Sequence, residues 1–274
     1  MQIDFTVVIP TYRRPELLKG AIKSALTQEG VTLEVLVADD CPDASARDAV
    51  RALSDPRVQY QLNPRPTGGN PSVVRNLTWP NANGRYIHFL DDDDIVPQGH
   101  YAAAKAAFAA YPGVGLVFGR VEPFGSCPPT QLQHEEQYFA NAARNASACG
   151  RFGRKLAFAS RTLFGPAMVV CSAGVVRREC LERIDGFDSK MRLLEDSDFF
   201  LRMMRQCGAV FLDRPAVHYR IGYPSLMHCP DPPPEQLRLL RAARRHMQWK
   251  YRKERGPAEF YALALLSRTL LRVV

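Results

Sequence analysis

Apolar residues fall into short continuous runs, separated by stretches in which they recur every three or four positions. Phe5 to Ile9, Leu33 to Ala38, Val58 to Leu62, Tyr86 to Leu90 and Val114 to Phe118 are rich in Val, Ile, Leu and aromatics, the pattern of buried strands. Between the first two, Pro15 to Thr27 puts Leu17, Leu18, Ile22 and Ala25/Leu26 on one helical face, and Pro15 suits the first turn. Ala44 to Leu53 and Pro97 to Tyr111 read as further helices. Strands alternating with helices predict an α/β fold with a mostly parallel central sheet flanked by helices.

The pattern weakens over Glu122 to Arg161, which is polar, carries Pro128-Pro129 and lacks a firm period; it reads as an insertion or loop. Regularity returns at Ala167 to Arg177, a strand pair interrupted by Gly174. A helix is predicted from Asp196 to Cys207, then strand pieces at Val210 to Leu212 and Val217 to Arg220. Pro230, Pro232, Pro233 and Pro234 break the chain before a final basic helical stretch, and mark the one candidate boundary. The organisation expected is one domain over residues 1–230, with halves near 1–120 and 160–230, then a tail over 231–274.

With 274 residues, 46% hydrophobic and 23% charged, the chain can bury a real core and is not expected to be disordered. Its net charge of +8 raises nucleic acid as a partner until it is located. From Glu235 onward there are ten Lys or Arg and three Glu, so the tail carries +7 and the preceding 234 residues +1. Basicity is a property of the tail, and no nucleic-acid partner is expected. The seven cysteines are scattered and contain no CxxC pair, which argues against a disulfide framework or a zinc knot. A reducing, cytoplasmic compartment follows as the expectation. No basic leader precedes Phe5, and no apolar run reaches the roughly 18–20 residues that span a bilayer. The P-loop and GxGxxG patterns are missing, which removes the P-loop NTPases and the dinucleotide oxidoreductases.

Ligands of open α/β sheets bind at the carboxyl ends of the strands. Three such ends carry unusual residues: Pro10-Thr11-Tyr12-Arg13-Arg14, Asp39-Asp40-Cys41-Pro42-Asp43, and Asp91-Asp92-Asp93-Asp94. Unit charges about 4 Å apart repel by roughly 4 kcal/mol at an effective dielectric near 20. Helix capping accounts for one or two of the last four carboxylates, Asp94 among them, but not for all. A hard divalent ion that also meets substrate phosphates offsets the rest. Glu195, Asp196 and Asp198 are again more acid than a helix start requires.

These segments resemble the motifs of the family 2 glycosyltransferases. Val7-Val-Ile-Pro-Thr-Tyr-Arg13 is similar to the family's opening motif, and Val37-Ala-Asp-Asp40 to its second. Val74-Arg75-Asn76 and Gly84 to Asp94 resemble the approach to its Asp-x-Asp signature. Asp185-Gly186-Phe187-Asp188 and Leu194 to Asp198 are similar to its acceptor-side motifs, and the likeness runs from about residue 5 to 222. The resemblance implies a GT-A fold and an inverting transfer of a sugar from a nucleotide-diphospho-sugar, UDP-linked for preference, to an acceptor hydroxyl, with Mn²⁺ or Mg²⁺ as cofactor. It implies that Pro10, Thr11 and Tyr12 line the nucleotide pocket, that Asp40 meets the base, and that Arg75, Asp91 and Asp92 lie against the nucleotide. Asp93 would bind the metal, with His218 as a further ligand, and Arg220 would meet phosphates; Asp196 would be the general base. Cys41 stands where the family usually has Gly, which bears on the shape of the base-binding turn. The same donor-binding residues would also suit a non-catalytic nucleotide-sugar-binding module or, with a Gly-rich loop that this chain lacks, a sugar nucleotidyltransferase.

In the tail, Leu237, Leu240, Met247 and Tyr251, then Phe260, Leu263, Leu266 and Leu270, recur near helical spacing among basic residues. Such an amphipathic helix either lies on an anionic membrane surface or packs its stripe on the catalytic domain. Membrane contact would suit a saccharide acceptor that is lipid-linked. Arg244-Arg-His-Met-Gln-Trp249 does not match the Gln-x-x-Arg-Trp motif of the family's processive members, so single transfer is expected.

Overall fold

The computed structural model describes residues 2–151, 154–222 and 233–270. The chain runs β1 (Phe5–Thr11), α1 (Pro15–Leu26), β2 (Leu33–Asp39), α2 (Arg47–Arg51), β3 (Val58–Leu62), α3 (Pro71–Thr78), β4 (Tyr86–Phe89) and α4 (His100–Ala110). It continues through β5 (Leu116–Gly125), α5 (Pro129–Arg151), α6 (Arg154–Phe164), β6 (Gly174–Arg177), α7 (Arg178–Ile184), α8 (Glu195–Cys207), β7 (Ala209–Ile221), α9 (Pro234–Arg255) and α10 (Pro257–Leu270). The seven strands form one sheet in the order β3-β2-β1-β4-β6-β5-β7. Only β6 runs against its neighbours, pairing antiparallel with both β4 and β5.

A sheet covered on both faces needs strands that are apolar on both sides, which is why β1, β2 and β4 read as unbroken hydrophobic runs. Val8, Ile87 and Phe89 face a core shared with Phe158, Phe199 and Met203. Val7, Ile9 and Val35 face the opposite core, with Leu18, Ile22 and Tyr101. Register brings the strand ends level, with Thr11 opposite Asp39 and Val8 opposite Phe89. The residues that follow these three strands therefore emerge side by side at one edge.

Three readings change. Residues 122–161 are not a loop: β5 continues to Gly125, and α5 and α6 take most of the rest. The buried positions of α5 are Glu135, Phe139, Ala142, Asn145, Ala146 and Cys149, a helical spacing hidden because most of them are small or polar. The two strand pieces after α8 are one strand, irregular in register where Arg120 and Val121 of β5 face it. Ala167 to Arg177 is a single short strand preceded by a 3-10 turn at Cys171–Ala173. Gly174 opens that strand because a Cβ there would sit 2.8 Å from the Phe200 ring.

The middle of the tail's apolar stripe is turned inward, while Leu237 near its start is exposed. Met247, Tyr251 and Leu263 are buried in a third cluster with Ala159, Leu163, Met191, Leu194 and Leu201. Burying such side chains contributes roughly 1.5–3 kcal/mol each. Lys250 Nζ adds ion pairs to Asp188 (2.8 Å) and Asp198 (3.1 Å), and Arg205 grips Glu259 through two hydrogen bonds of 2.7 and 2.8 Å. Half of the proline-marked boundary, at Pro230 and Pro232, lies outside the described residues. Among those residues no helix is long and apolar enough to cross a membrane.

Candidate active site

The level strand ends open into a cavity of about 630 Å³. Pro10, Thr11, Tyr12 and Asp40 line one end, Arg75 and Asp91 to Asp93 the middle, and Asp196 the far side. Asp40 is almost fully buried, and both its oxygens are engaged by one loop. It accepts from Asn63 Nδ2 (2.7 Å), Thr67 Oγ1 (2.8 Å) and the amides of Thr67 (3.0 Å) and Gly69 (2.7 Å). Burial alone would raise its pKa, but these bonds outweigh it and hold the carboxyl below its usual value. Asp40 thus shapes the pocket by folding the Gly68-Gly69 turn over it, with Gly69 (φ 87°) close against the Tyr12 ring.

The four consecutive aspartates take four different positions. Asp91 receives Arg75 Nη2 at 2.6 Å, and its amide donates to Ser172 Oγ at 3.0 Å. Asp92 accepts from Thr11 Oγ1 at 2.7 Å and from Arg14 at 3.3 Å, and burial pushes its carboxyl up to about 7. Asp93 faces Arg14 Nη1 at 2.7 Å, and it too is raised by burial and by the charge of Asp91. Asp94 turns inward to accept the Arg220 amide at 2.9 Å, and its other oxygen is buried with no hydrogen-bond partner among the described residues. Burial and its acidic neighbours raise Asp94 well above the carboxylate range.

Arg75 joins this cluster to the opposite wall. Its side chain is 3% exposed and reaches Asp91 at 2.6 Å and Glu195 at 3.3 Å, with its guanidinium 5.1 Å from the Phe187 ring centre. Burial opposes its charge, and the surrounding negative groups, Asp91 and Glu195 among them, more than restore it. The next residue, Asn76, accepts the Phe187 amide (2.9 Å) and donates to the Phe187 carbonyl (2.7 Å), clamping the Asp185 to Asp188 turn beneath Arg75. Leu194 precedes α8 with φ 58°, so Asp196 sits in the helix's first turn and is not its cap. Asp196 accepts the Ser197 amide at 2.6 Å, and burial raises its pKa. Glu195 beside it is raised to about 7 by burial and by Asp196.

Every residue expected at the nucleotide, together with Asp93 and Asp196, lines this cavity; His218 does not. His218 pairs by its backbone with Ile95, and its ring faces Glu122 at 3.3 Å. The metal-ligand reading of His218 is thereby corrected: the strand partner set by β5 turns the imidazole to a surface carboxylate. Its neighbour Arg220 does line the cavity, donating from Nε to the Asp93 carbonyl at 2.8 Å. Sequence reasoning missed Arg14, Ser172, Tyr219 and the face of α5 that carries Glu135, Tyr138 and Phe139. The doublet Gly68-Gly69 could have flagged the loop over Asp40; α5 offered no comparable signal.

Among the described residues no three His, Cys, Asp or Glu side chains converge into a ready-made metal cage. What the cavity offers is Asp91 and Asp93 in its lining, with Asp94 next to them and within reach of their charge. That set fits a hard divalent ion that keeps one or two carboxylates and completes its shell with substrate phosphates.

The chain is 35% identical over 116 residues to the GalNAc(5)-diNAcBac-PP-undecaprenol beta-1,3-glucosyltransferase of Campylobacter jejuni, a match covering 42% of this chain and 37% of that one. The chain therefore spans well under half the length of that relative. In fold it is similar to Staphylococcus aureus TarS 1-349 in complex with UDP-GlcNAc, with a TM-score of 0.70 and 16% identity over 98% of this chain and 72% of that one. It is also similar to the mannosyltransferase PcManGT of Pyrobaculum calidifontis in complex with GDP-Man and Mn²⁺, with a TM-score of 0.57 and 18% identity over 99% and 81% of the two chains. These likenesses establish the GT-A fold. Residues 6–184 match the model of Glycosyl transferase family 2, and the protein is a glycosyltransferase of that family.

Proposed function

We propose that the protein is a metal-dependent, inverting glycosyltransferase that moves one sugar from a nucleotide-diphospho-sugar to an acceptor hydroxyl in polysaccharide or lipid-linked glycan synthesis. The observation that carries this is the pairing of Arg75 with Asp91 on one wall and Glu195 on the other. It ties the diphosphate side of the cavity to the helix turn that holds Asp196. Residues 1–120 form the nucleotide half, with Tyr12 and the loop over Asp40 holding the nucleoside. The acceptor half takes residues 160–230 together with α5, which packs against α6 and β7, and the tail follows. Asp93, with Asp91, is the group that would hold Mn²⁺ or Mg²⁺, which supplies positive charge against the departing diphosphate. Arg14 and Arg220 flank the same carboxylates and would shift to phosphate oxygens. Asp196 takes the proton from the acceptor hydroxyl, its raised pKa making it a better base than an exposed carboxylate. Attack from the side of Asp196, opposite the diphosphate, inverts the anomeric centre.

The tail's outer surface supports work at the cytoplasmic face of a membrane. Trp249, Tyr261 and Leu265 are exposed there, with Lys253 over the Trp249 ring and Arg252 over Tyr261. Aromatic and cationic side chains on one helical surface suit an anionic lipid interface. A UDP donor is favoured because TarS binds UDP-GlcNAc, though PcManGT takes GDP-Man.

The test is a screen of nucleotide sugars for Mn²⁺-dependent binding and hydrolysis, run with and without anionic vesicles. Asp93→Ala should abolish metal-dependent hydrolysis. Asp196→Asn should keep donor binding and lose transfer by roughly 10²–10⁴-fold. A chain that binds no nucleotide sugar, or whose hydrolysis survives Asp93→Ala, is not this enzyme.

A further inference from the structure

The hydroxyl that attacks must lie within reach of Asp196 and of the donor's anomeric carbon at once. The donor occupies the side of Asp93, so the acceptor ring must rest on whatever borders Asp196 on the other side. That border is the face of α5 carrying Glu135, Tyr138 and Phe139, together with Tyr219 of β7 and Val170 before β6. The rings pack edge to face: Tyr138 and Phe139 are 5.2 Å apart between centres at 83°, and Phe139 and Tyr219 5.6 Å apart at 63°, so buried Phe139 backs the half-buried Tyr138 ring. Tyr138 lies near enough to Asp196 for its charge, after burial, to help keep the phenol protonated, whereas Tyr219 is held protonated by burial and then chiefly by Asp94, Asp91 and Asp93, at the donor edge of the same lining. Glu135 is 6% exposed and lines the same cavity.

Such a surface selects by two features. Aromatic rings pack against the C–H face of a pyranose, and buried carboxylates accept from its hydroxyls. With Glu135 and Asp196 on this side, and Arg75 already paired with Asp91 and Glu195, a negative charge on the acceptor ring meets like charge in a partly desolvated site. Resting on the donor and base assignments above, we infer that α5 forms the acceptor subsite, with Tyr138 as its stacking platform and Glu135 as its charge filter. The subsite takes a neutral pyranose and rejects a uronate.

The experiment uses the donor that the wild type hydrolyses, with p-nitrophenyl glucoside and N-acetylglucosaminide as neutral acceptors and p-nitrophenyl glucuronide as the anionic one. The wild type should favour the neutral glycosides by at least tenfold in kcat/KM. Tyr138→Leu should raise their KM about tenfold while moving the donor KM far less. Tyr138→Phe, which keeps the ring, should restore most of the loss and so separates stacking from misfolding. Glu135→Gln should narrow the discrimination against glucuronide. The subsite is overturned if glucuronide serves as well as glucoside, or if Tyr138→Leu raises donor and acceptor KM together. A wild type that hydrolyses donor yet transfers to none of the three also overturns it, leaving the donor assignment intact. One that binds no nucleotide sugar loses both.

Discussion

The nucleotide end of the cavity hangs on strand termini, whereas the acceptor end rests on helices, and the two differ in how tightly they are built. Thr11 ends β1, and Asp40 and Asp91 come just after β2 and β4, strands whose register is fixed by parallel pairing, so their positions are set by the sheet itself. Glu135, Tyr138 and Asp196 stand on α5 and α8, which are held by side-chain packing. Position along a sheet is quantised by hydrogen bonds, while a helix resting on a core can shift with the side chains beneath it. One end is suited to holding the proposed nucleotide in a fixed place, the other to a proposed acceptor whose seat can adjust.

Arg75 is the joint between these ends, and its loss should give the largest effect. Arg75→Met would leave Asp91 and Glu195 without their cation in a site where the side chain is 3% exposed. Breaking such a pair by removing one partner costs about 3–5 kcal/mol. Urea unfolding should show that loss, and donor hydrolysis should fall by at least about 100-fold. Arg75→Lys should recover part of the stability and little of the activity, because one ammonium cannot serve two carboxylates as a planar fork does. If Arg75→Met transferred sugar normally, the two ends would not be coupled through it.

The donor end was largely legible in the sequence for the same reason that it is rigid. Apolar runs that end in Pro10-Thr-Tyr, Asp39-Asp40 and Asp91 to Asp94 announce both the strand and the site. The acceptor end was not. On α5, Ala142, Asn145 and Ala146 are buried where Leu or Ile would have shown a period, and Phe139 is the one large apolar residue among its buried positions. His218 failed as a ligand because alternation along a strand cannot say which partner strand a side chain will face, and Glu122 of β5 decided it. The tail's stripe was visible, but which surface it would cover depended on Leu163, Leu194 and Leu201, far away in sequence.

A smaller effect separates the acids at the donor end from one another. Burial lifts Asp92 to about 7, so the folded chain holds that proton more tightly than the unfolded chain, which releases it near pH 4. Stability drawn from this group is present at low pH and lost as pH rises from about 4 to 7. The buried imidazoles His88 (about 4) and His100 (about 3) act in the opposite sense below about pH 6.5, so the wild-type profile alone is a mixture. The difference between Asp92→Asn and wild type isolates the carboxyl. That difference in Tm should move in the variant's favour by a few degrees between pH 5 and pH 8, since Asn can still accept from Thr11. A difference that stays flat across the range would mean Asp92 is ionised throughout and Arg14 its true partner.

The smallest effect belongs to Cys41, the one departure from the family's usual residue at the base-binding turn. A Gly requirement would show as a left-handed backbone, yet Cys41 is not among the residues with positive φ; that conformation falls to Ala44, at 52°. The turn is held from elsewhere: Asp39 accepts the amides of Cys41 and Ala46, each at 2.9 Å, and Asp40 is fixed by the loop after β3. Cys41 is fully buried beneath this frame and acts as a small filler. Cys41→Ala should therefore shift the donor KM by less than about threefold, and Cys41→Gly should cost only about 0.5–1 kcal/mol of stability from added freedom of the unfolded chain. A tenfold rise in donor KM for Cys41→Ala would show that the thiol itself shapes the nucleoside pocket, and that the donor end is less fixed by its strands than the sheet register implies.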